Sequence, residues 1–138
     1  MTKVLLVEDD PAISRLYQKV LTLEDFEVQT ADNGLSALEV VPVFQPNIIL
    51  LDIMMPTMNG IEFLGKLKGA GAFDNIPVIV LTNVSDSDIT LRAVEAGAAL
   101  ILIKSETEPD DVIKAVKGVL ARDILQSETL DGETSEQL

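Results

Sequence analysis

Four short stretches of the chain carry the residues that could do chemistry. The run KVLLV is followed by Glu8, Asp9 and Asp10, NIILLD ends in a lone acid, Asp52, PVIVLT ends in Thr82, and ALILIK ends in Lys104. An ionised carboxylate at the end of a buried strand costs several kcal/mol of desolvation unless something compensates it. Two carboxylates about 4 Å apart repel by roughly 4 kcal/mol at an effective dielectric near 20, so such a cluster protonates or splays without a counter-charge. A hard, oxygen-only site with few ligands suits Mg²⁺, which binds through one or two carboxylates and keeps room for water and phosphate. Lys104 offers a compact positive charge to a phosphate, and the Thr82 hydroxyl can donate to the same oxygens. A carboxylate nucleophile, a divalent cation, a lysine and a hydroxyl are the parts of phosphoryl transfer onto an aspartate, with Asp52 as the acceptor.

For these residues to meet, the elements between them must bring the ends of different strands together. Five apolar or β-branched runs, over 3–7, 27–31, 47–52, 77–82 and 99–104, alternate with segments of helical spacing. Three of the runs are apolar nearly throughout, as expected of parallel strands covered on both faces. The pattern predicts a doubly wound α/β domain: a five-stranded parallel sheet in the order 2-1-3-4-5 with five helices on both faces. In that order the ends of the first and third strands lie side by side at the crevice. Asp10 followed by Pro11 predicts the start of a helix over 11–23, with Ile13, Leu16, Tyr17, Val20 and Leu21 as its apolar stripe. Asn33 and Gly34 lead into a second helix over 35–43, and a third runs over 60–68. Ser85 or Asp86 caps a fourth helix that Gly97 ends, and Glu108 with Pro109 opens a fifth, its apolar face formed by Val112, Ile113, Val116, Val119 and Leu120.

The bulk composition removes other chemistries. The 138 residues fit one domain with a core of its own, and neither cysteine nor histidine is present. Thiolate catalysis, disulfides, imidazole metal sites and a phosphohistidine on this chain are therefore excluded. A formal net charge of −13 argues against direct nucleic-acid binding, which depends on Lys and Arg neutralising phosphates, and favours a protein or cation partner. The four-residue apolar run near the N-terminus is too short for a signal peptide, and no stretch is long enough to cross a bilayer, so the expected setting is cytoplasmic. Beyond about residue 124 the chain turns polar and acidic without a periodic apolar face, and 125–138 is expected to be a disordered tail after a domain over 1–124, with no output module.

In LLVEDD, LLDIMMPTMNG, VIVLT and LILIKS, taken in this order, residues 1 to about 124 resemble the receiver domain of bacterial-type response regulators, which has a flavodoxin-like fold. The resemblance implies that Asp52 accepts a phosphoryl group from a sensor histidine kinase or phosphotransfer protein. It makes Glu8 and Asp9 the acidic pair, Thr82 the switch hydroxyl and Lys104 the site lysine. It also implies that Asp9, Asp52 and the Met54 carbonyl hold Mg²⁺, with Glu8 acting through water. Phosphorylation would draw Thr82 and Lys104 inward and repack the face of the fourth helix, fifth strand and fifth helix. That face would meet a downstream protein target or a second copy in a weak homodimer, the chain otherwise being a stand-alone, monomeric switch rather than an enzyme.

Three positions depart from the family pattern. Ser105 follows Lys104 where proline in a cis bond is usual, and a cis bond before serine costs about 2.5–4 kcal/mol, so a trans bond and a different loop are expected. Ile101 occupies the usual aromatic switch position, and Asn83 is larger than the small residue often found after the threonine. Apolar Met54 and Val84 flank the reaction centre and cannot orient water, which predicts slow hydrolysis of an acyl phosphate.

Competing readings differ at specific residues. A haloacid-dehalogenase-type phosphatase needs a second aspartate two residues after the nucleophile, where Met54 stands. A flavodoxin-like cofactor binder needs a phosphate loop rich in Ser, Thr and Gly, whereas EDDPA repels anions. A phosphorylation-independent docking module is the remaining alternative, suggested by Ser105 and Ile101 and opposed by the full set of acids, Thr82 and Lys104.

Overall fold

A computed structural model describes residues 1–55, 57–69, 71–83 and 87–132, with side chains through residue 122. Five strands, β1 (Lys3–Val7), β2 (Glu27–Ala31), β3 (Ile48–Asp52), β4 (Val78–Thr82) and β5 (Leu100–Ile103), alternate with five helices. The helices are α1 (Pro11–Leu23), α2 (Gly34–Phe44), α3 (Gly60–Gly69), α4 (Ser87–Glu95) and α5 (Pro109–Gly132). All strand pairs are parallel, and the sheet order is β2-β1-β3-β4-β5, as the alternation predicts.

Side chains alternate across the pleat, so each strand feeds two cores. Val4, Leu6, Ile48, Leu50, Ile79 and Leu81 meet Tyr17 and Leu21 of α1 and Val112, Val116 and Val119 of α5 on one face. Leu5, Val7, Ile49, Leu51, Val78 and Val80 meet Ala37, Val41 and Phe44 of α2, Phe63, Leu64 and Leu67 of α3 and Ala93 of α4 on the other. The middle strands β3 and β4 are buried at every position, whereas the edge strand β2 is mostly exposed. Two covered faces explain the near-continuous apolar runs.

The helix starts follow local chemistry. Asp10 Oδ1 accepts from the backbone N–H of Ala12 and Ile13 at 2.9 and 3.3 Å, and Asn33 Oδ1 accepts from that of Ser36 at 2.9 Å. The start of α3 is a reciprocal cap that the sequence reading missed: Asn59 Oδ1 accepts from Glu62 N at 2.9 Å, and Glu62 Oε1 accepts from Asn59 N at 3.1 Å. Its signal, a capping residue with Glu three positions on, is present in NGIE. Gly97, at φ 109°, ends α4 with its N–H donating to Val94 O, while the expected cap at Ser85 or Asp86 lies outside the described residues.

One element departs from expectation. Helix α5 continues to Gly132, through residues that the sequence reading places in the tail, while 133–138 lie outside the described residues. Helix growth explains this: once α5 is nucleated by its docked face, each added residue gains a hydrogen bond at small cost, and an apolar stripe is not needed.

Candidate functional site

The site lies at the carboxyl rim of the sheet, where strand alternation sorts the polar residues. Val4 and Leu6 of β1 face α1 and α5, and Glu8 leaves the strand with the same parity; Asp52 does so after Ile48 and Leu50, and Lys104 after Leu100 and Leu102. The register pairs Val7 with Leu51 and Asp52 with Leu81, which sets the ends of β1, β3 and β4 level. Glu8, Asp52 and Thr82 are the buried polar or charged residues outside the apolar cores among those described, and all three stand at this rim.

Their geometry is that of one small cluster. Glu8, Asp9 and Asp52 each offer a carboxylate oxygen, and these oxygens lie within 4.8 Å of one another. Lys104 Nζ donates to Glu8 Oε1 at 2.7 Å and lies 3.5 Å from Asp52 Oδ2. Met54 N donates to Asp52 Oδ1 at 3.4 Å, and Asp10 N to Glu8 Oε2 at 3.2 Å. Thr82 is buried at the next strand end, its register partner being Ile103, the residue before Lys104. Sequence reasoning thus finds residues that the fold gathers at one rim, with Asp10 serving as a helix cap rather than a third member. Val84 lies outside the described residues.

Backbone packing holds Asp52 in place. A Cβ at Gly60 would come within 2.5 Å of Asp52 O and 2.7 Å of Ile53 Cα, and Gly60 N donates to Ile53 O at 2.8 Å. A Cβ at Gly34 would meet Met58 O at 2.7 Å, and Gly34 N donates to that same carbonyl at 3.1 Å. Two glycines therefore clasp the loop after β3 from both sides, a role for Gly34 that only the fold reveals. Between them Thr57 is held at φ 68°, a conformation that disfavours a β-branched residue. Surrounding packing must over-determine such a backbone for it to persist.

The electrostatics are unbalanced. Burial first, then the charge of Glu8, pushes the Asp52 carboxyl up to about 7, against the opposing pull of Lys104 and the Met54 N–H. Burial alone would lower Lys104, but its hydrogen bond to Glu8 and the charge of Asp52 leave its pKa raised. One ammonium thus stands between two buried carboxylates, Glu8 and Asp52, and does not offset the burial and the Glu8 charge that raise the Asp52 pKa. An oxygen-only donor set with excess negative charge fits a hard divalent cation, which would do what Lys104 does alone and incompletely.

At the far side of the rim, Lys104 opens a 3₁₀ turn, Lys104–Glu106, and no peptide bond among the described residues is cis. Thr107 closes this turn, its N–H donating to Lys104 O at 3.3 Å and its hydroxyl to Ile103 O at 2.7 Å. The trans bond expected before Ser105 is therefore present, with a local 3₁₀ turn in the place of a proline-restrained loop.

Comparisons with known proteins agree with this geometry. The response regulator receiver domain family matches residues 4–117. The chain is 35% identical over 133 residues to a probable transcriptional regulator, ycf29, of Pyropia yezoensis, covering 96% of this chain and 60% of that protein. A CheY-like receiver domain protein from Methanospirillum hungatei superposes with a TM-score of 0.85 at 25% identity, over 91% of this chain and 98% of that one. The Mn²⁺-bound response regulator Rcp1 superposes with a TM-score of 0.73 at 34% identity, over 86% and 91% of the two chains. The chain thus spans about 60% of the length of the transcriptional regulator that it matches. No helix among the described residues is long and apolar enough to cross a membrane. Matching family, sheet order and clustered acids lead to one conclusion: this chain belongs to the response regulator receiver domain family.

Proposed function

We propose that this chain is a phosphorylation switch in which Asp52 accepts a phosphoryl group from the phosphohistidine of a sensor histidine kinase or phosphotransfer protein. The observation that carries the reading is the convergence of the Glu8, Asp9 and Asp52 oxygens within 4.8 Å beside Lys104. An Asp52 oxygen forms the new O–P bond as the donor's N–P bond breaks, and the electron pair returns to the imidazole, which takes up a proton. Lys104 and the Thr82 hydroxyl donate to the phosphoryl oxygens, where charge gathers. Asp9, Asp52 and the Met54 carbonyl would hold Mg²⁺, with Glu8 acting through water. The ion when bound neutralises charge on the carboxylates and the phosphoryl group.

The added charge on Asp52 draws Lys104 away from Glu8, and Thr82 with it. Such a shift repacks the α4–β5–α5 face, where Leu91 and Val94 stand exposed, for a downstream protein or a weak homodimer. Met54 is exposed and apolar, so it leaves an attacking water unoriented and the acyl phosphate decays slowly. A half-life of seconds in Mg²⁺ would contradict that part of the reading.

Incubation with acetyl phosphate and Mg²⁺, followed by intact mass, tests the whole. One added phosphoryl group in the parent chain and none in Asp52→Asn is the expected result. An unmodified parent chain would overturn the switch and leave the phosphorylation-independent docking module as the better reading.

A further inference from the structure

Helix α2, with the sequence GLSALEVVPVF, carries only two polar side chains, Ser36 and Glu39. A helix that is apolar all round belongs in a protein interior, yet α2 lies on the surface with one side on the sheet. Ala37, Val41 and Phe44 enter the core, whereas Leu35, Glu39, Pro42 and Val43 are exposed, three of these four being apolar. Val43 is 85% exposed. Single apolar residues are ordinary on a protein surface. The neighbouring α1 shows the difference, for it mixes Arg15, Gln18, Lys19 and Thr22 among its exposed positions.

A cavity of about 440 Å³ adjoins the α2 face. It lies between the carboxyl ends of β1 and β2 and the first turns of α1 and α2, and Glu8, Asp9, Ser14, Asp32, Ser36 and Val40 are among the residues that line it. Its size is that of a ligand pocket. Ser36 and Val40 stand four apart on α2 and Val43 three further on, so they form one stripe that leaves the cavity and runs about 10 Å towards the amino rim. The surface thus has an acidic, hydroxyl-lined end and an apolar end. Three carboxylates line the cavity, with no lysine or arginine among the described residues that do so. Glu8 is paired with Lys104, whereas Asp32 accepts only a neutral donor, Asn33 Nδ2 at 2.8 Å. On a chain of net charge −13, a second copy, a nucleic acid or an anionic membrane meets like charge here. A basic segment meets opposite charge.

We propose that the α2 face and its cavity form a docking surface for an amphipathic, basic helix of a protein partner. A lysine or arginine enters the cavity among Glu8, Asp9 and Asp32, and apolar side chains one and two turns along cover Val40 and Val43. The surface lies by β2, at the opposite edge of the sheet from β5, and its use does not require phosphorylation of Asp52.

Selection of displayed random peptides of about 16 residues, long enough to form a helix, tests the proposal on the parent chain. Enriched peptides should carry Lys or Arg with Leu, Ile or Phe at helical spacing. In calorimetric titration of such a peptide, Val43→Ser, which leaves the charge unchanged, should weaken binding about five- to tenfold. Asp32→Asn should weaken it about threefold and reduce its dependence on salt. Both sites are exposed, so thermal midpoints should hold, and Leu91→Ser on α4 should bind as the parent does. A selection that enriches nothing or enriches neutral or acidic peptides, or an affinity that Val43→Ser leaves unchanged, would overturn the proposal. So would a parent dimer in sedimentation that Val43→Ser dissociates, because the face would then belong to a second copy.

Discussion

The two rims of the sheet use similar groups to opposite ends. At the amino rim Lys3 N donates to Asn47 Oδ1 at 2.8 Å, and Lys3 Nζ donates to Phe44 O at 3.2 Å while lying 5.5 Å from the Phe44 ring centre. This cation caps the carbonyl end of α2, where the helix dipole favours it, and its remaining contacts are neutral. At the carboxyl rim Lys104 pairs with two buried carboxylates, Glu8 at 2.7 Å and Asp52 at 3.5 Å, with exposed Asp9 next to them, and one ammonium does not balance the cluster. One lysine completes its surroundings; the other leaves charge over. That excess costs folding stability, and its negative sign and oxygen donors suit a divalent cation.

The largest test of this contrast is Lys104→Met. Removing one partner from a buried pair leaves uncompensated charge, so unfolding free energy should fall by about 3–5 kcal/mol at pH 8, less where the acids protonate. Mg²⁺ should restore part of the loss in denaturant titrations, because it supplies the missing positive charge.

Next comes pH. The folded-state pKa of Asp52 stands at about 7, above its ordinary value of 3.8, so between these values the folded chain holds a proton that the unfolded chain releases. Stability of the metal-free protein should therefore fall as pH rises from about 4 through about 7. The raised pKa of Lys104 acts only at alkaline pH and leaves this window alone. Thermal midpoints across the window should show the slope in the parent chain and a smaller one in Asp52→Asn. That variant should gain at pH 8 and not at pH 4.

Gly60→Ala asks whether backbone packing fixes Asp52. Its new Cβ would overlap the Asp52 carbonyl and Ile53 Cα, with a loss of about 1–3 kcal/mol and slower labelling of Asp52 by acetyl phosphate. Smallest is Lys3→Met at the amino rim. Losing a partly exposed, neutral-partnered lysine should cost under about 1 kcal/mol in urea unfolding, with no change in Mg²⁺ affinity. A loss equal to that of Lys104→Met would erase the distinction between the rims.

Much of the carboxyl rim is legible without coordinates because parallel strands end where their apolar runs end. Asp52, Thr82 and Lys104 each close such a run, and Glu8 and Asp9 follow one. Less legible is how the rim is held. The reciprocal Asn59–Glu62 cap has a local signal in NGIE, whereas the approach of Gly34 to Met58 has none, being made between α2 and the β3–α3 loop. The extent of α5 to Gly132 is not legible in its apolar spacing, because an amphipathic face marks where a helix docks, not where it stops.

By itself the sequence determined the alternation of strands and helices, the two covered faces and the set of polar residues at the strand ends, since hydrophobic period and turn chemistry act over a few neighbours. Tertiary structure alone decided that Lys104 lies closer to Glu8 than to Asp52 and that burial beside Glu8 raises the Asp52 pKa. Those outcomes depend on distances and burial set by residues far apart in the chain, and Coulomb energies in a shielded rim change with each ångström.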